Sequence, residues 1–127
     1  MKPKILVVDD EWSMRELLRN TLSLSGFEVL MAANEVEFRE QVLSQKPQVI
    51  ILDIMLGDQD GTEVYQQLLS EGLDRNIPVV FLSALAGDRP LTPPQANRRY
   101  ALVGKPFNSD QFVREIHELV GSKEKNQ

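Results

Sequence analysis

The chain has 127 residues, 42% of them hydrophobic and 26% charged, with a net charge of −5; this suits one domain able to bury a core and speaks against a nucleic-acid surface, which needs clustered Lys and Arg. It has no cysteine and one histidine, which excludes disulfides, thiolate chemistry and a histidine-rich zinc site. No apolar run approaches the ~20 residues of a membrane span, and MKPKILVVDD enters a strand at once and ends in acids instead of reading as a signal peptide; a cytoplasmic domain without membrane contact is expected.

Along the chain, residues 4–8 (KILVV) read as a first strand. A helix follows over 12–25, with Met14, Leu17, Leu18, Thr21 and Leu22 at helical spacing and Gly26 as its stop. FEVLM (27–31) is a second strand, and Asn34-x-x-Glu37 is a capping box opening a second helix to about Gln45, ahead of Pro47. QVIILD (48–53) is the most β-branched run and is expected at the centre of a buried sheet. Asp60-Gly61-Thr62-Glu63 caps a third helix with Val64, Leu68 and Leu69 on one face, ended by Gly72. IPVVFLS (77–83) and YALVG (100–104) are strands four and five. Asn108-x-x-Gln111 opens a last helix with Phe112, Ile116, Leu119 and Val120 inward, and residues 122–127 form a polar tail or the start of a linker after a domain over 1–121. The alternation implies a doubly wound α/β fold, a five-stranded parallel sheet with helices on both faces. Between strands four and five the pattern breaks: Gly87, Pro90, Pro93 and Pro94 make the fourth helix short or replace it by a loop.

Three of these strands end in charges that a buried strand should not carry: Asp9-Asp10, Asp53 and Lys105-Pro106. In an open parallel sheet the C-terminal strand ends gather along one edge, where ligands bind. Three carboxylates and one ammonium should therefore meet in one crevice. Crowded carboxylates repel, a divalent cation relieves that cost, and a lysine beside them can hold an incoming phosphoryl group. Each residue alone has an ordinary explanation: a helix N-terminus for Asp9 and Asp10, a turn for Asp53, a solvated surface for Lys105, a local backbone bond for Ser83. The constellation carries the weight. His117 reads as a boundary residue and Trp12 as partly exposed packing above the acids.

Asp9-Asp10, Asp53, Asp60-Gly61, Ser83-Ala84 and Lys105-Pro106-Phe107, in that order at these strand ends, make residues 3–121 resemble the receiver domain of two-component response regulators. The resemblance implies strand order 2-1-3-4-5 and transfer of a phosphoryl group from a histidine kinase or phosphotransfer protein onto Asp53. It implies Mg²⁺ held directly by Asp10 and Asp53 and by the Met55 backbone carbonyl, with Asp9 acting through a water. Lys105 pairs with Asp53 before transfer and with the phosphoryl oxygens afterwards, aimed by a cis Lys105-Pro106 bond. Ser83 donates its hydroxyl to the phosphoryl group. The change in conformation regulates an output domain or target protein.

The sequence departs from that pattern in four places. Gly57 replaces the usual Pro, which should loosen the loop after Asp53. Leu102 stands where the family carries an aromatic switch residue, and Tyr100, two residues earlier on the same strand face, is the candidate substitute. Arg98-Arg99 replaces Gly-Ala before strand five, and the prolines alter the fourth helix; an exit for the signal through residues 85–98 is therefore expected. Met55 and Leu85 stand at positions that tune water access in that family, and since both are apolar here the resemblance implies slow self-dephosphorylation. Rival readings are weaker. A phosphatase of the haloacid dehalogenase type needs an Asp where Met55 stands, a flavodoxin-like cofactor binder needs a phosphate loop where Asp9-Asp10 stand, and a phosphorylation-independent docking module leaves the acids without purpose.

Overall fold

A computed structural model describes residues 2–83, 100–104 and 109–125 of the chain. The elements are β1 (Lys4–Val8), α1 (Trp12–Leu24), β2 (Glu28–Ala32), α2 (Glu35–Gln45), β3 (Val49–Asp53), α3 (Gly61–Ser70), β4 (Val79–Ser83), β5 (Tyr100–Gly104) and α4 (Ser109–Lys125). The strands form one parallel sheet in the order β2-β1-β3-β4-β5, the expected doubly wound arrangement. The last helix continues to Lys125, into the stretch read as a polar tail. The expected break between strands four and five falls on residues 84–99, outside the described residues.

Why these runs become central strands is visible in their side chains. β1 and β3 are apolar at successive positions, so both sheet faces are buried. Leu6, Val8, Ile50, Leu52, Val79 and Phe81 point to one face, where they pack with Phe38 and Val42 of α2 and with Val64, Tyr65, Leu68 and Leu69 of α3. Ile5, Val7, Val49, Ile51, Val80 and Leu82 point to the other, against Leu18 and Leu22 of α1 and Phe112, Ile116 and Val120 of α4. Two residues depart from the helical reading. Leu17 faces solvent, because the buried stripe of α1 runs through Leu18 and Leu22. Tyr65 is fully buried, its ring edge-on to Phe81 at 5.8 Å.

The caps follow the sequence with one shift. Asn34 accepts from the Glu37 N–H at 2.9 Å, while the Glu37 carboxylate accepts from the N–H of Ala33 at 2.7 Å, one residue before the cap. Asp60 caps α3 through the Thr62 N–H. His117 is exposed beside the Phe27 ring, with centroids 4.6 Å apart. Among the described residues no helix is long and apolar enough to cross a membrane.

Phe38 is wholly buried between α2 and the sheet. Phe38→Ala should lower unfolding stability by about 3–5 kcal/mol. Urea denaturation is the check, read as a lower midpoint at an unchanged m-value.

Candidate functional site

The sheet delivers three carboxylates to one edge. Asp9 and Asp10 follow β1, and Asp53 closes β3, the neighbouring strand. One oxygen from each lies within 4.8 Å of the others. Asp9 and Asp53 are buried, and Asp10 is exposed. The cluster therefore has a protein side and a solvent side.

Each buried acid is held by the backbone that follows it. The Asp9 carboxylate accepts from the Glu11 N–H at 2.9 Å, and the Asp53 carboxylate accepts from the Met55 N–H at 3.0 Å. Both are tight turns in which an aspartate bonds the chain two residues on. The backbone around them is fixed too. The Asp9 N–H donates to the Ala32 carbonyl at 3.1 Å, and the Ile54 N–H donates to the Leu82 carbonyl at 2.9 Å, so pairing continues past each strand's last residue.

Gly61 explains why Asp60-Gly61 follows Asp53 at this distance. Its N–H donates to the Ile54 carbonyl at 2.6 Å, and a Cβ built on it would collide with the Asp53 carbonyl oxygen. The start of α3 lies directly on the backbone that carries Asp53.

Between Asp53 and Gly61 the chain makes a small antiparallel hairpin that sequence reasoning missed. Met55 pairs with Asp60 and Leu56 with Gln59, leaving Gly57-Asp58 as the turn. Gly57 has φ +64°, which proline cannot adopt. The exchange of Pro for Gly thus builds a defined turn instead of loosening the loop. Gln59 then donates to Glu35 of α2 at 3.0 Å. Glu35 also pairs with Arg39 at 2.9 Å, and Arg39 reaches Glu71 at the end of α3. Hydrogen bonds from Arg39 and then Gln59 hold the Glu35 carboxyl below the usual carboxylate range. The hairpin is thereby tied to α2.

The remaining predicted site residues are located by register or lie outside the described residues. Leu82 pairs with Asp53, and Ser83 is the next residue, at the end of β4. Ser83 in turn pairs with Gly104, the residue before Lys105. Lys105, Pro106 and their peptide bond are outside the described residues. Leu102 pairs with Phe81 and Tyr100 with Val79. Tyr100 is therefore three residues before Val103, the partner of Leu82, or about 10 Å back along the strand. Met55 and Trp12 are exposed beside the acids' loops. The donor set is all carboxylate oxygen with a solvent side, which suits a hard divalent cation that keeps part of its water shell.

A doubly wound parallel sheet with an acid cluster at the carboxyl ends of its central strands defines the class of protein. A family model for the response regulator receiver domain matches residues 5–117, and the chain belongs to that family. It is similar to the response regulator MprA of Mycobacterium ulcerans, with 43% identity over 84 residues that cover 66% of this chain and 35% of that protein. The chain thus spans about a third of the length of that curated relative. Among solved structures, NtrX from Brucella abortus in complex with ADP superposes with a TM-score of 0.81 at 26% identity, covering 99% of this chain and 28% of that one. A CheY-like receiver domain protein from Methanospirillum hungatei has a TM-score of 0.80 at 20% identity over the full length of both chains, a likeness of fold.

Gly61→Ala should force the start of α3 away from Asp53. The expected cost is on the order of 1–3 kcal/mol, with weaker divalent-cation binding in whatever fraction remains folded. Urea denaturation and a Mg²⁺ titration of the same sample check both.

Proposed function

We propose that this receiver domain is a phosphorylation-dependent switch in which Asp53 accepts a phosphoryl group from a phosphohistidine of a histidine kinase or phosphotransfer protein. An Asp53 carboxylate oxygen attacks phosphorus, the P–N bond breaks, and the leaving imidazole regains a proton. The observation that carries the reading is the convergence of Asp9, Asp10 and Asp53 within 4.8 Å at adjacent strand ends. Little covalent chemistry is asked of the protein, because phosphoryl transfer is governed by positioning and charge neutralisation.

Asp10 and Asp53 would hold Mg²⁺ directly, with the Met55 carbonyl, and Asp9 through a water. Mg²⁺ supplies the positive charge that lets an anionic phosphoryl group approach three acids. The Met55 N–H fixes the Asp53 carboxylate for attack, and Gly61 leaves room for the backbone beneath it. Lys105, following the residue that pairs with Ser83, takes the role of the second cation on the phosphoryl oxygens. The Ser83 hydroxyl donates to the same oxygens and draws in the end of β4. Leu102 is the position from which the change spreads into β5. Tyr100, about 10 Å from the level of Asp53, is less well placed for it. Residues 85–98 remain our candidate exit for the signal.

The receiver occupies residues 1–121 in this reading and acts in the cytoplasm. The curated relative extends well beyond the matched segment, which supports an output domain or a separate target as the recipient of the signal.

With Mg²⁺ and acetyl phosphate, intact-mass spectrometry should find one added phosphoryl group. The addition should be lost in Asp53→Asn and on chelation by EDTA. Undiminished labelling of Asp53→Asn would rule out Asp53 as the acceptor.

A further inference from the structure

On each side of the acid cluster a backbone carbonyl is clamped by a donor from the following helix. On the Asp53 side the clamp is Gly61 bonded to the Ile54 carbonyl. On the Asp9 side it is a side chain. The Arg15 guanidinium, projecting from α1, donates from Nη1 to the Asp9 backbone carbonyl at 2.8 Å, six residues back along the chain. Asp9 has no solvent exposure, so its carbonyl needs a protein donor. The Arg15 N–H meanwhile donates to the Glu11 carbonyl at 3.1 Å, starting α1. One residue thus fixes the turn from both its side chain and its backbone. The Glu11 side chain at the N-cap of α1 makes no capping hydrogen bond to the helix, while the Glu11 N–H is met by the Asp9 carboxylate.

The choice of acceptor matters. Among the described residues Arg15 forms no salt bridge. Its guanidinium is engaged by the Asp9 peptide oxygen, beside a residue of the acid cluster. A guanidinium bonded to a carboxylate would occupy an oxygen that a metal ion needs. Bonded to the Asp9 carbonyl, it instead fixes the peptide plane joining Asp9 to Asp10, and with it the directions in which both acids leave the chain.

We propose that Arg15 is a positioning residue for the divalent-cation site: its bond to the Asp9 carbonyl orients the Asp9-Asp10 pair toward Asp53. The proposal rests on reading the acid cluster as a Mg²⁺ site. Two effects of Arg15 oppose each other. Its charge repels an incoming cation, while its hydrogen bond prearranges the ligands. The orienting bond outweighs the repulsion, because the guanidinium binds a peptide oxygen and leaves the carboxylate oxygens to the cation, and outer partners that orient metal ligands govern affinity strongly.

The test is Mg²⁺ titration of the full chain by calorimetry and by Trp12 fluorescence, with metal-free melting followed in parallel. Arg15→Met, which loses charge and donor, should bind Mg²⁺ about 10-fold or more weakly. Arg15→Lys, which keeps a single donor and the charge, should recover most of that loss, since one bond to a carbonyl does not need the guanidinium fork. Wild-type or tighter binding by Arg15→Met overturns the proposal, and so does a Lys variant as weak as the Met variant. Should Arg15→Met fail to fold, Arg15→Gln takes its place: weaker Mg²⁺ binding with unchanged metal-free melting supports the proposal, and unchanged binding overturns it. Absence of Mg²⁺ binding by the wild type would instead overturn the reading of the cluster as a cation site, which the variants alone cannot do.

Discussion

Two carboxylates buried at the end of a hydrophobic sheet are the constraint around which this molecule is arranged. Asp9 and Asp53 are almost without solvent exposure, and Asp10 stands beside them. Burying an ionised carboxylate is costly unless donors reach it, and placing a third acid nearby adds repulsion. The backbone N–H groups of Glu11 and Met55 supply part of the compensation. They can do so only because the chain turns tightly after each strand. The positions of α1 and of the hairpin before α3 follow from that need.

The sheet makes such a cluster possible by being rigid and closed on both faces. Residues of β1, β3 and β4 alternate between two separate apolar cores, one under α2 and α3 and the other under α1 and α4. A slip of one residue in any of these strands would exchange the two sets of side chains and move its terminal charge out of line. Register therefore serves packing and chemistry together. Asp53 opposite Leu82, and Ser83 opposite Gly104, are consequences of the same pairing that fills the cores.

The hairpin after Asp53 gives this receiver a local character of its own. Gly57 takes a backbone angle closed to proline, and Gln59 bonds Glu35, which is itself engaged by Arg39. The segment that carries Met55 is thus connected to α2 and, through Arg39 and Glu71, to the end of α3. The hairpin next to Asp53 is therefore held to both helices by polar contacts.

The sequence by itself determined the strands, their burial and the acids at their ends. Runs such as QVIILD leave no polar face, so they are central strands wherever they sit, and a charge that ends such a run must lie at the sheet edge. Asn34 and Asp60 announced helix starts through their own side chains. Leu17 and Tyr65 were not legible, because which side of a helix is buried depends on how the helix lies on the sheet. Gly57 read as a looser loop because its positive φ appears only once Leu56 and Gln59 are paired. Arg15 carried no local signal at all. Its bond to the Asp9 carbonyl exists because α1 folds back over the end of β1. Short-range chemistry can be read from neighbours in the chain; a contact between elements is decided only when the sheet brings them together.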